Sequence, residues 1–125
     1  MQIPIRARPW LPRLFLFALL GAAAAAYSSG LAGPFLLDDM ANLPALGAWG
    51  PVNNAATLVT YLTSGIAGPT GRPLALASFL MDAHNWPANP WPFKFTGLLF
   101  HLLNGVLLAA LLVRLSRLRG LARET

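Results

Sequence analysis

The sequence predicts an all-α membrane protein: two transmembrane helices joined by an outer loop of short interfacial helices. Three observations predict it. The 125 residues are 56% hydrophobic and 10% charged, whereas a soluble domain carries about 25% charged residues. Two long apolar runs stand near the ends of the chain. The cations collect outside them: Arg6, Arg8 and Arg13 precede the first run, and Arg114, Arg117, Arg119 and Arg123 follow the second, with only Arg72 and Lys94 between. Basic clusters outside both ends of a hairpin are the positive-inside pattern. They place both termini in the cytoplasm and the central loop on the other side.

Each element follows from its residues. Residues 1–11 are a basic cytoplasmic lead rich in proline. The first transmembrane helix is expected over 12–32, since about 20 helical residues cross roughly 30 Å of hydrocarbon. Its Gly21 to Ala26 stretch is made of small residues, which let another helix approach closely. A cleaved signal peptide over residues 1–26 is the competing reading. The basic start, the apolar Leu14 to Leu20 and the small Ala24-Ala25-Ala26 fit one, but the apolar run continues to Leu37 and favours an uncleaved span.

The extracytoplasmic loop is expected over 33–92. Gly33-Pro34, Pro44, Gly50-Pro51 and Asn53-Asn54 punctuate it. One short helix is expected over Ala55 to Ser64 and another from Pro73 to about Asn85, because proline suits the first helical position. The block WPANPWPFKF, residues 86–95, is expected to be irregular, with Trp86 and Trp91 in an aromatic belt at the headgroup level. The second transmembrane helix follows over 93–113. A basic cytoplasmic tail over 114–125, partly helical, completes the chain.

Several chemistries are excluded. There is no cysteine, hence no disulfide, thiol nucleophile or thiolate metal site. No phosphate-cradling glycine loop and no nucleophile elbow is present. Nucleic-acid binding is set aside despite the net charge of +5, because no aromatic residues interleave the basic clusters as a stacking platform requires.

Asp38-Asp39 is the most informative pair. It closes an uncharged run of 24 residues, Leu14 to Leu37, and supplies two of only four acidic residues. An Asp at the bilayer centre costs about 2.5–3.5 kcal/mol, so the pair marks where the chain leaves the hydrocarbon. Beside apolar walls a carboxylate loses hydration and becomes a stronger base. The plainer alternative is a helix cap near Met40. Arg72 sits on a constrained Gly71-Arg72-Pro73 turn, where its guanidinium suits a phosphate; the plainer alternative is pairing with Asp38, Asp39, Asp82 or lipid headgroups. His101 and Asn104 share a helical face inside the second span. They read as structural, making interhelical hydrogen bonds, since a lone histidine is a poor metal site. No metal-ligating residues are assigned.

The order of these features carries a resemblance. Phe35-Leu36-Leu37-Asp38-Asp39 follows the first span, then come Trp49-Gly50, Gly71-Arg72-Pro73-Leu74, Ser78-Phe79 and Phe100-His101-Leu102-Leu103-Asn104. This resembles the amino-terminal region of polytopic GT-C-type membrane glycosyltransferases, and within them the protein O-mannosyltransferase-like group that includes tetratricopeptide-repeat-bearing members. The resemblance covers most of Leu14 to Leu115. It implies that Asp38 is the catalytic base and that Asp39 orients the acceptor. It implies a polyprenyl-phosphate sugar donor, a membrane lipid environment and a location in a bacterial inner membrane. Arg72 is a candidate contact for the donor phosphate, a role that the motif match itself does not assign. No cofactor is assigned, and a divalent metal is left open. Family members have many more spans, which hold much of the donor pocket. The chain is therefore expected to be an amino-terminal segment that needs further membrane helices, from a longer chain or a partner subunit, to act. The alternative function is a small non-enzymatic membrane subunit or assembly protein packing on a partner.

Overall fold

The structure is a computed structural model and describes residues 10–66 and 68–121. Arg6, Arg8 and Arg123, with most of the basic lead and the end of the tail, lie outside the described residues. Among the described residues every regular element is helical, apart from one isolated bridge between Ala48 and Gly50. The chain divides into two compact units. One takes the described residues up to Ser29 and from Gly97 onward; the other is Gly30 to Thr96.

The first unit holds α1, Leu11–Ser28, and most of α5, Pro90–Leu121. Both helices are long and apolar enough to cross a membrane, with mean hydropathies of 1.5 and 2.1. Pro12 enters α1 in its first turn, where the missing N–H has no intrahelical partner to lose. The helix stops at Ser28, short of the expected 32. Ser28 and Ser29 turn their hydroxyls back onto the carbonyls of Ala25 and Ala26, at 2.7 and 3.3 Å. Such back-bonding competes with helix continuation, and Gly30 follows.

Contacts between α1 and α5 run antiparallel. The Tyr27 ring lies 5.3 Å from the His101 ring. One step along, a Cβ on Gly105 would stand 3.0 Å from Leu20 Cδ2. Further toward the start of α1, Pro12, Arg13 and Leu16 face Val106, Ala110 and Val113 across a groove.

The second unit is built from short pieces. They are α2, Asp38–Asn42, a 3-10 turn at Leu43–Leu46, α3, Ala55–Thr63, and α4, Pro73–Phe79, together with the first turns of α5. Asn54 caps α3: its side chain accepts the Thr57 N–H at 2.9 Å, and the Thr57 hydroxyl accepts the Asn54 N–H at 3.3 Å. This reciprocal box satisfies two donors that a helix start otherwise leaves open. Helix α4 begins at Pro73 as expected but ends at Phe79, not near Asn85. The chain tightens there into i to i+3 bonds, from Leu80 to Ala77 and Met81 to Ser78, the usual way a last turn closes.

Leu43, Leu46, Val52, Tyr61 and Leu76 form the core of this unit. Each fully buried large side chain contributes about 1.5–3 kcal/mol. Phe35, Phe79, Trp86 and Phe93 surround it, with ring centroids 5.1 to 5.9 Å apart in three pairs. Trp86 thus packs on the core and is not free for the expected aromatic belt.

The start of α5 corrects the sequence reading. Residues 90–95 of the block expected to be irregular are helical from Pro90. Asn89 makes this possible, its side chain accepting the Trp91 N–H at 3.0 Å as an N-cap does. Pro90 and Pro92 then fall in the first turn, where no backbone donor is missed. The stacked rings of Trp91 and Phe95, 4.9 Å apart, line one side of that turn.

Candidate functional site

Asp38 and Asp39 open α2 in the second unit. Leu37, just before them, has φ 42° and ψ −109°, a conformation that a branched side chain strongly disfavours. Asp39 is half-buried, and its Oδ2 accepts the Leu36 N–H at 3.1 Å. It therefore bonds backward, holding the chain in the shape that Leu37 requires. Asp38 is exposed, and its own carbonyl accepts the Asn42 side-chain N–H at 2.7 Å. The apolar walls expected around the pair are thus missing at Asp38, and neither carboxylate caps a helix starting near Met40. One aspartate is tied down and the other presents its carboxylate to the outside.

Arg72 is the cap residue of α4 and takes a left-handed conformation, φ 53° and ψ 56°. Two glycines place it. A Cβ on Gly65 would overlap the carbonyl oxygen of Gly71, and a Cβ on Gly71 would stand 2.6 Å from the Gly65 oxygen. The two backbones meet at a distance that only glycine permits. Arg72 is exposed and lines a small pocket of about 110 Å³ with Asn42, Leu76 and Phe79. The last residue of α2 and the guanidinium-bearing residue of α4 therefore share one depression. The pairing of Arg72 with Asp38, Asp39 or Asp82 does not occur among the described residues. Asp82 instead accepts the Thr96 hydroxyl at 2.6 Å.

His101 and Asn104 stand on α5 in the first unit, and both are exposed. His101 meets α1 through its ring, against Tyr27. The interhelical hydrogen bonds expected of these two residues are not formed among the described residues.

Sequence reasoning missed Lys94. Its ammonium donates to the carbonyls of Gly30, Gly33 and Pro34 at 3.1, 2.8 and 2.9 Å. The only signal was its position as a solitary cation beside aromatic residues. It also missed Tyr61, whose hydroxyl is buried without a hydrogen-bond partner. Burial pushes that phenol up from 10.0 to about 12. Among the described residues no group of three or more His, Asp or Glu side chains could hold a metal ion.

Comparison of the chain with known protein families, with curated proteins and with solved structures finds no match.

Proposed function

We propose that the chain is the amino-terminal segment of an integral-membrane glycosyltransferase that moves a sugar from a polyprenyl phosphate to an acceptor hydroxyl. The observation that carries this reading is where the backbone is strained. Among the described residues, the two non-glycine residues with positive φ are Leu37, immediately before Asp38, and Arg72. Such conformations cost about 1–3 kcal/mol each, persist only where the surroundings over-determine them, and cluster at active sites and ligand clamps. Here they fall on the residues that the motif order singles out.

In this reading α1 and α5 cross the membrane, both termini are cytoplasmic, and the Gly30 to Thr96 unit lies outside. The exposed Asp38 carboxylate takes the proton of the acceptor hydroxyl. The acceptor oxygen bonds to the anomeric carbon of the sugar. The bond from that carbon to the phosphate oxygen breaks, and its electron pair leaves on the phosphate. A cation beside the departing phosphate stabilises the developing charge, and Arg72 supplies it. Asp39, held by Leu36, orients the segment. Further membrane helices complete the donor pocket. The test is Asp38→Asn in the longest gene product, assayed for sugar transfer from polyprenyl-phosphate donors. Transfer falling by two orders of magnitude or more is expected for loss of a general base; unchanged transfer removes Asp38 from this role.

One observation favours a second reading, a non-enzymatic subunit. A Cβ on Gly21 would meet nothing within 4 Å, and Ala22, Ala25 and Ala26 are exposed. This side of the small-residue stretch is thus uncovered by the described residues, and such surfaces serve close helix approach. Purification in mild detergent would recover a stoichiometric partner, and a lone monomer would count against it.

A further inference from the structure

The groove in the first unit joins an apolar floor to a basic end. Leu16 and Pro12 of α1 face Val106, Ala110 and Val113 of α5 across a volume of about 380 Å³, and Arg13 completes the lining. Positions 106, 110 and 113 share one face of α5, and the next residue on that face is Arg117. Because α1 and α5 run antiparallel, Arg13 and Arg117 lie toward the same end of the groove. The described part of this unit carries Arg13, Arg114, Arg117 and Arg119 and no acidic side chain. Among the described residues its cations therefore have no carboxylate to pair with, while the groove beside them is lined largely by methyl and methylene groups.

We propose that this groove holds an acyl chain of an anionic phospholipid whose phosphate is bound by Arg13 and Arg117. The inference rests on the reading that α1 and α5 cross the membrane. Charge complementarity selects the occupant. A zwitterionic lipid fills the apolar part equally well but brings a cation to the arginines, and a second copy of this unit brings four more arginines. Basic pockets between membrane helices on the positive-inside face bind anionic headgroups for the same reason.

The test uses the full chain, purified in mild detergent, stripped of lipid and offered phosphatidylglycerol or phosphatidylcholine with identical acyl chains. Native mass spectrometry reads the lipid retained. Phosphatidylglycerol is expected to be preferred, and Arg13→Gln and Arg117→Gln each to lower that preference about fivefold. Ala110→Phe fills the groove and lowers retention of both lipids, and Val113→Phe repeats this at a second position, with helicity checked by circular dichroism for every variant. Equal retention of the two lipids, or a preference that survives both arginine substitutions, overturns the proposal. So does recovery of a lipid-free dimer. Alkaline carbonate extraction separates the two failures: release of the chain from membranes removes the spanning reading itself, whereas a chain that stays embedded and shows no lipid preference removes only the lipid site.

Discussion

Lys94 Nζ stands 2.8 Å from the carbonyl oxygen of Gly33, a residue 61 positions earlier in the chain. With the carbonyls of Gly30 and Pro34 it closes a three-acceptor cradle. The segment so gripped leads directly to Phe35 in the aromatic cluster and to Asp38. An ammonium is a compact point charge with three donors, and this cradle uses all three. Hydrogen bonds to a charged group contribute about 1.5–3 kcal/mol. Lys94→Met is expected to cost about 2 kcal/mol in chemical denaturation followed by tryptophan fluorescence. Lys94→Arg is expected to recover little of it, because a planar guanidinium cannot turn three donors onto one cluster. Equal stability of Lys94→Met and the parent would show that water replaces the cradle without loss.

Tyr61 is fully buried, and its hydroxyl has no partner. An unsatisfied buried donor costs about 1–3 kcal/mol, so Tyr61→Phe is expected to stabilise the Gly30 to Thr96 unit by about 1 kcal/mol. A pH signature accompanies it. Burial raises the phenol from 10.0 to about 12. Between those values the unfolded chain has lost the proton and the folded chain keeps it, so stability falls as pH rises through this window and is untouched below it. Tyr61→Phe should remove that alkaline loss. Unfolding curves at pH 9 and pH 11.5 for both proteins decide the matter.

Arg72 holds a left-handed conformation that costs an L-residue roughly 1–2 kcal/mol. Arg72→Gly is therefore expected to raise stability by about 1 kcal/mol over Arg72→Ala, since glycine accepts this conformation freely. Under the proposed function both substitutions lower sugar transfer alike, because both remove the guanidinium. A glycine variant no more stable than the alanine variant would mean that no strain resides at this position.

The loop before Arg72 offers a paired control. Gly65→Ala drives a Cβ into the Gly71 carbonyl and must shift the backbone, for an expected cost above about 2 kcal/mol. Gly68 has φ +81° with open space around its missing Cβ. Gly68→Ala therefore meets only the backbone penalty, about 1 kcal/mol. Thermal unfolding of the two variants side by side should rank them in that order.

Much of the fold is legible in the sequence because the signals are local. Length and hydropathy mark the two long helices, and Pro73 marks the start of α4 because its fixed φ and missing N–H suit that position alone. The helix expected over Ala55 to Ser64, observed as Ala55–Thr63, was legible from the breakers on either side, Asn53-Asn54 before it and Gly65 after it. The start of α5 was not. Three prolines in WPANPWPFKF argue against a helix until Asn89 is seen to cap it, after which Pro90 and Pro92 fall where no donor is needed. The candidate site divides in the same way. The Asp38-Asp39 pair and Arg72 stand out by residue type. The strain at Leu37, the backward bond of Asp39 and the Gly65–Gly71 contact depend on neighbours that spacing does not reveal.

The sequence by itself determined the helical class, the two apolar helices long enough for a bilayer and the basic flanks, since each follows from composition and period along a single segment. Tertiary structure alone decided which aspartate is tied and which is free. It also decided that Trp86 joins the core, and that Lys94 serves three carbonyls some 60 residues away. The last two outcomes depend on packing and hydrogen bonds between segments far apart in the chain, and the first on the fold of a turn that brings Asp39 back onto Leu36; in each, direction and distance, not residue type, choose the partner.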